Sequence, residues 1–230
     1  MSAKIKNPNN DEEAKFNLGD IVVLKSFAIY SHKIKDKFHF DQTAPINVSP
    51  FMIVIRADLN TSNYRTDCFQ SQDFVRYRCM WYSPSKGDFQ EDVFFESLLM
   101  RVKSYKGESF ESSKSLCDVF KYGEAAIFRT RDLEMSKVFP EHNPHGRFKE
   151  VANFIPPDLV MAGVKIAKDI DKDGKEQNII LEKNKKVHRY DCENRIIGRW
   201  FSTTQGKFLK RDFIPHALEA MKINANFEEG

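Results

Sequence analysis

The residues best suited to bind a ligand form a basic stretch near the end of the chain. It runs from Lys183 to Arg211 and holds nine basic residues against only Asp191 and Glu193, a local net charge of +7. Such side chains neutralise phosphates, and the rings of Tyr190 and Phe201 could stack on bases. The stretch predicts a surface for DNA or RNA formed by Lys183, Lys185, Lys186, Arg189, Arg195, Arg199, Lys207, Lys210 and Arg211. The alternative is an ordinary pair of solvated strands.

Two short motifs resemble metal sites but lack essential ligands. Asp169–Gly174 begins like a calcium loop, yet Ile180 stands where an EF-hand needs a bidentate glutamate. Its apolar flanks favour a hairpin with an Asp-Gly turn between two strands. His142 and His145 are separated by Pro144, with no cysteine or carboxylate cluster to complete a site, which favours an exposed loop. We therefore expect no metal and no cofactor.

The chain carries no recognisable catalytic motif. It contains no G-x-S-x-G, P-loop or H-E-x-x-H pattern, so we expect a binding protein and not an enzyme. Trp81 and Trp200 could form stacking platforms for a ligand. Large aromatic side chains dominate small cores, and we therefore favour a role for both tryptophans as core anchors.

An internal repeat defines the elements that must position these residues. Gly19–Ser26 and Gly123–Thr130 both read as a turn that enters a short apolar strand ending in a base and a hydroxyl. Ser49–Val54 and Pro156–Met161 both place proline before an apolar strand. A third block has identical offsets in two copies, Trp81, Tyr82, Gly87, Phe89, Phe94 and Leu99 in one and Trp200, Phe201, Gly206, Phe208, Phe213 and Leu218 in the other.

Each copy predicts a strand, a long loop, a second strand, a hairpin and a closing turn or helix. Alternating faces along the hairpin strands are typical of a small antiparallel barrel. We expect a disordered tail at 1–15, a first barrel at 16–105, a linker at 106–121 with a short helix from Ser115, and a second barrel at 122–230. The composition of Pro215–Ile223 predicts a short C-terminal helix.

The blocks G-D-x-V-x-L-K-S, P-x-M-x-V, R-C-x-W-[FY] and F-x-x-x-x-F-x-x-x-x-L resemble the small uncharacterised bacterial proteins of the YodC type. The first copy carries the full pattern and the second a degraded one, with Gly198 in the place of Cys79. The resemblance implies two tandem SH3-like barrels and a mainly β fold. It implies little about function, because that family has no settled activity.

The two copies differ in charge and in their loops. The hairpin of the first copy is acidic, with Asp88, Glu91, Asp92 and Glu96, whereas that of the second is basic. The long loop at 31–49 mixes Phe38 and Phe40 with basic residues, which suits docking of a protein partner. A protein-interaction adaptor, using this loop or a barrel edge, is therefore the alternative to nucleic-acid binding.

Composition excludes several classes of protein. The chain has 230 residues and a net charge of +3, which favours no charged partner by itself. Its four cysteines show no paired spacing and are expected to be reduced thiols. No signal peptide or membrane-spanning apolar run is visible, so a cytoplasmic protein without a membrane partner is expected.

Overall fold

The structure is a computed structural model that describes residues 14–41, 48–60, 75–105, 117–138, 154–166, 179–182 and 185–221. Within these ranges the chain is mainly β, with several antiparallel sheets and two short α-helices. Most of the predicted tail and linker, the His142–His145 loop, the Asp169–Gly174 motif and Lys183 lie outside the described residues.

The segment 16–105 is called the N-terminal segment. Its described residues contain one α-helix, α1 (Phe27–Tyr30), and one 3-10 helix (Glu96–Leu98). Its strands are β1 (Ile21–Leu24), β2 (Ser31–Ile34), β3 (Lys37–Phe40), β4 (Met52–Asn60), β5 (Val75–Ser83), β6 (Asp88–Phe95) and β7 (Leu99–Lys103). The predicted long loop at 31–49 is thus in part a hairpin of β2 and β3, which pair antiparallel.

The segment 122–230, called the C-terminal segment, contains α2 (Arg131–Met135) and a 3-10 helix (Pro215–Ala217). Its strands are β8 (Ala125–Phe128), β9 (Lys137–Val138), β10 (Leu159–Ile166), β11 (Ile179–Glu182), β12 (Lys185–Tyr190), β13 (Asn194–Ser202), β14 (Lys207–Phe213) and β15 (Leu218–Ala220). The expectation of a C-terminal helix is wrong for the described part of Pro215–Ile223, because a single 3-10 turn leads into β15, which pairs with β8.

The strands form three sheets. One follows the order β11-β12-β4-β1-β7, with β5 joining β4 to β6; the second follows β14-β13-β10-β8-β15; the third is β2-β3-β9. Among the described residues these pairings form no closed barrel. The strands expected on either side of the Asp-Gly turn exist as β10 and β11, but they belong to different sheets, so the hairpin expected there is wrong.

The matched sequence blocks pair with the same register in both segments. Val22 faces Met52 between β1 and β4, and Ala126 faces Leu159 between β8 and β10. The N–H of Gly19 donates to the carbonyl of Val54, and the N–H of Gly123 donates to that of Met161, both at 2.8 Å. Both glycines have positive φ, +81° and +85°, a conformation that favours glycine before the strand.

The correspondence extends to the irregularities of the two sheets. The pairing of β4 with β5 shifts register between Val54 and Arg56, and the pairing of β10 with β13 shifts between Met161 and Gly163. A register shift of this kind marks a β-bulge, in which an extra residue in one strand bends and twists that strand locally. The same bulge therefore bends the long central strand at the same place in each segment.

The two segments share a sheet and a core. Strand β12 of the C-terminal segment pairs with β4 of the N-terminal segment, from Val187 opposite Asn60 to Tyr190 opposite Ala57. The buried carboxylate of Asp58 accepts hydrogen bonds from the guanidinium of Arg56 at 3.0 Å and from that of Arg189 at 3.1 Å. A buried carboxylate needs such partners, so this network ties β12 to β4.

No helix in the described part of the chain is long and apolar enough to span a membrane. Of the four cysteines, Cys79, Cys117 and Cys192 are described and buried, and no disulfide links them. Burial raises the pKa of the Cys117 thiol to about 11, which disfavours the reactive thiolate.

Candidate interaction surface

The nine basic residues predicted to bind nucleic acid fall into three groups of three. Three of them form ion pairs within the protein: Arg189 with Asp58, Arg195 with Asp191, and Arg211 with Glu91. These guanidinium groups already hold carboxylates, so they stabilise the fold. Lys183 and the side chains of Lys185 and Lys186 lie outside the described part of the structure.

The remaining three basic residues lie on the hairpin that carries an exposed aromatic pair. Arg199 faces Lys210, and Phe201 faces Phe208, across the antiparallel pairing of β13 and β14. The two rings meet edge to face with centroids 5.2 Å apart, yet they remain 49% and 76% exposed. Lys207 precedes Phe208 and is also exposed. We call Phe201, Lys207, Phe208 and Lys210 the second ridge.

The corresponding residues of the N-terminal segment are buried in an internal interface. Tyr82 faces Phe89 across β5 and β6, with ring centroids 5.2 Å apart, and only 8% and 0% of these residues is exposed. We call Tyr82, Asp88, Phe89 and Glu91 the first ridge. Both ridges have the same strand register and nearly the same ring geometry, and they differ in whether another surface covers them.

The surface that covers the first ridge belongs to the C-terminal segment. The ring of Phe89 lies 4.9 Å from that of Phe128, 5.1 Å from that of Trp200 and 4.9 Å from that of Phe213. We call Phe128, Trp200, Arg211 and Phe213 the second socket. Edge-to-face aromatic pairs add about 0.5–1.5 kcal/mol each beyond the burial of apolar area. The predicted core role of Trp200 is therefore confirmed, whereas Trp81 is only partly buried.

Polar contacts align the first ridge within the second socket. The Arg211 guanidinium donates to the Glu91 carboxylate at 2.8 Å and lies 3.7 Å from that of Asp88. The Trp200 indole N–H donates to the Gly87 carbonyl at 3.3 Å. The acidic hairpin of the N-terminal segment and the basic Arg211 of the C-terminal segment are thus complementary. Part of the charge difference between the two hairpins therefore stabilises a contact within the chain.

The expected docking role of Phe38 and Phe40 is wrong. Both side chains are buried, and both rings pack edge to face on Phe27, at centroid distances of 5.6 and 5.3 Å. The β2–β3 hairpin turns its phenylalanines into the core, where no partner can reach them. The basic residues around them gave the segment a polar composition although one face of the hairpin is apolar.

Tyr190, the other aromatic side chain expected to stack on bases, lies apart from Phe201. It belongs to β12 in the sheet of β4, whereas Phe201 belongs to β13 in the five-stranded sheet. Partial burial raises the pKa of the Tyr190 hydroxyl. The aromatic neighbour of Phe201 is instead Phe208. In the sequence, Phe208 had been matched with Phe89 only as part of the repeated block.

A buried ion pair went unrecognised in the sequence. The Lys137 ammonium and the Glu134 carboxylate lie 2.5 Å apart and are almost fully buried. The carboxylate also accepts the backbone N–H of Phe51 at 2.7 Å, and the ammonium lies 4.7 Å above the ring of that residue. Burial raises the pKa of Glu134 and lowers that of Lys137, and each charge opposes the shift of the other. The pair attaches α2 and β9 to the N-terminal segment.

Within the described ranges, no three His, Cys, Asp or Glu side chains are grouped so as to hold a metal ion. Comparisons of the chain with protein-family models, with curated proteins and with solved structures find no match. The second ridge is therefore the candidate site that the geometry itself supports.

Proposed function

We propose that the chain is a tandem of two SH3-like units that acts as a non-enzymatic protein-interaction module through the second ridge. One observation supports this most strongly. A cross-strand aromatic pair in the same register is buried against another segment of the chain in the N-terminal segment and stands exposed in the C-terminal segment. Buried aromatic anchors carry much of the energy of protein interfaces, which suits Phe201 and Phe208 for this role.

The repeated architecture supports the assignment of two units. Each segment has a strand after a left-handed glycine, a bulged central strand, a hairpin with a matched aromatic pair, and a 3-10 turn before the last strand. Loops and charges differ between the copies, as is common for insertions at the surface of a retained scaffold.

The test compares proteins captured from an extract of the source cells by the immobilised full chain and by two variants. Phe201→Ser/Phe208→Ser removes the exposed pair, and Phe95→Ser is the matched control, because Phe95 is a 42% exposed phenylalanine on β6. We expect a stoichiometric partner that is retained by wild type and control, is lost with the double variant, and binds the same way once purified. A partner held equally by all three chains would contradict the proposal.

Nucleic-acid binding is the second candidate, favoured by the exposed cations Arg199, Lys207 and Lys210 around the same pair. Stacking on aromatic rings beside basic groups is typical of single-strand binding. Fluorescence polarisation with labelled single-stranded DNA and RNA tests it at low and at higher salt. Binding that weakens with salt and with Arg199→Glu/Lys210→Glu would favour this candidate over a protein partner.

A further inference from the structure

We propose that the partner of the second ridge is the N-terminal segment of another copy of this chain, so that the protein assembles head to tail. This inference rests on the proposed interaction function and names its partner. Its basis is the internal interface, in which a ridge of one repeat is seated in a socket of the other. The repeat also supplies a second ridge and a first socket, whose side chains are exposed or only partly buried in the described structure.

The first socket consists of Leu24, Trp81, Asp92 and Phe94, the positions that correspond in register to Phe128, Trp200, Arg211 and Phe213. Its aromatic pair has the geometry of the covered one. The Trp81 and Phe94 rings are 6.4 Å apart, as are those of Trp200 and Phe213. The aromatic pair of the second socket therefore recurs at the corresponding positions of the N-terminal segment.

The exposure of the first socket and second ridge differs from that of their covered counterparts. Trp81 and Phe94 are only partly buried, whereas Trp200 and Phe213 lie beneath Phe89 and are almost fully buried. A Cβ on Gly87 would lie 2.1 Å from the Ser202 hydroxyl oxygen, whereas one on Gly206 would have no described atom within 4 Å. In the described part of the chain, both the second ridge and the first socket are therefore less covered than their counterparts.

The charges of the second ridge and the first socket are also complementary, with the basic residue on the ridge and the acidic residue in the socket. The internal interface joins Glu91 of the ridge to Arg211 of the socket at 2.8 Å. The corresponding positions are Lys210 on the second ridge and Asp92 in the first socket. Docking of one chain on the next would again bring opposite charges together.

The same charges disfavour the wrong pairings. A second ridge entering a second socket would bring Lys210 against Arg211, and a first ridge entering a first socket would bring Glu91 against Asp92. Like charges at an interface suppress such partners. Because ridge and socket are different surfaces, the contact is heterologous and generates a ring or an open chain of copies.

Sedimentation velocity of the full chain over a range of concentrations tests this assembly. We expect wild type to form species larger than a dimer. Lys210→Glu and Asp92→Lys should each weaken association by roughly tenfold or more, and the double variant should restore it because it exchanges the two charges. Lys103→Glu, a matched charge reversal at an exposed position on β7, should leave association unchanged.

A capping experiment distinguishes this geometry from a symmetric dimer. Phe208→Ser loses the second ridge but keeps the first socket, and Trp81→Ala loses the first socket but keeps the second ridge. Each variant alone therefore lacks one half of the interface and should be monomeric. Mixed together they should form dimers and nothing larger. A dimeric wild type, or a mixture that fails to associate, would overturn the proposal, provided that circular dichroism and urea midpoints show both variants folded. If Trp81→Ala fails to fold, Asp92→Lys replaces it.

The inference and the proposed function fail differently. A monomeric wild type that still binds a different protein, with loss of binding in Phe208→Ser, overturns self-assembly and leaves the interaction function intact. A monomeric wild type whose second ridge binds only labelled oligonucleotides overturns both. Association that is unchanged in Phe208→Ser also overturns the inference, because the ring at this position is the proposed anchor.

Discussion

Replacing Phe89 by alanine should destabilise the protein far more than the same replacement at Phe208. The two residues occupy corresponding positions of the two hairpins, but Phe89 is fully buried whereas Phe208 is 76% exposed. Truncating a buried phenylalanine costs about 3–5 kcal/mol, because the lost contacts leave a cavity. Truncation at an exposed position costs within about 0.5 kcal/mol, so we expect the two variants to differ by about 2.5 kcal/mol or more.

The size of this effect follows from the surroundings of Phe89. Its ring meets the rings of Phe128, Trp200 and Phe213 within 5.1 Å, and all three belong to the C-terminal segment. Losing these three edge-to-face contacts alone should account for about 1.5–4.5 kcal/mol. Because the contacts cross between the segments, the loss should fall on the interface and loosen one segment from the other.

Urea denaturation followed by tryptophan fluorescence provides the measurement. The chain has two tryptophans, so a Trp81→Phe background leaves Trp200 as the reporter beside Phe89. We expect Phe89→Ala to lower the midpoint and to shift Trp200 emission to the red, whereas Phe208→Ala changes neither. If Phe89→Ala does not fold, Phe89→Leu should show a smaller loss in the same direction. Equal stabilities of the alanine variants at both positions would refute the interface described here.

Three further predictions concern other contacts between the segments. Lys137→Met should lower the free energy of unfolding by about 3–5 kcal/mol in urea denaturation, because Glu134 would remain buried without its cation. Adding Glu134→Gln should recover part of that loss, which a double-mutant cycle would measure. Burial lowers the pKa of His216 to about 4, so the folded state resists the proton that the unfolded chain accepts below pH 6.5. Stability should therefore fall by up to roughly 3 kcal/mol as the pH drops from 6.5 towards 4, and an equally steep decline in His216→Gln would contradict this cause. Gly87→Ala should be more destabilising than Gly206→Ala by at least about 1 kcal/mol, because both glycines have positive φ but only Gly87 has no space for a side chain, and equal melting temperatures would argue against that crowding.

The repeated blocks predicted the strand pairing of each segment well. The offset between Tyr82 and Phe89 recurs between Phe201 and Phe208, and each pair faces across a hairpin as the matched spacing requires. Such pairing depends on local alternation and on the turn, both of which are visible in the sequence. The parts that failed depend on distant contacts, since β11 and β12 join the sheet of β4 instead of forming a hairpin with β10.

The candidate site was less accessible to prediction than the strands. Clustering of charge identified the basic stretch, but it could not separate Arg211, which binds the carboxylate of Glu91, from the exposed Lys210 next to it. Adjacent residues of a strand point to opposite faces, and which face meets another segment is decided by how the segments dock. The burial of Phe38 and Phe40 escaped prediction because their segment looked like a polar loop.

The sequence by itself predicted that two blocks of matched aromatic spacing each form a β-hairpin, because alternation, turn glycines and spacing are local properties. Only the tertiary structure decided that Phe89 is an internal anchor and Phe208 an exposed one, although the two occupy the same place in the pattern. The physical reason is that burial depends on which surface covers a residue. Phe89 meets a socket within its own chain, whereas Phe208 is exposed in the described structure.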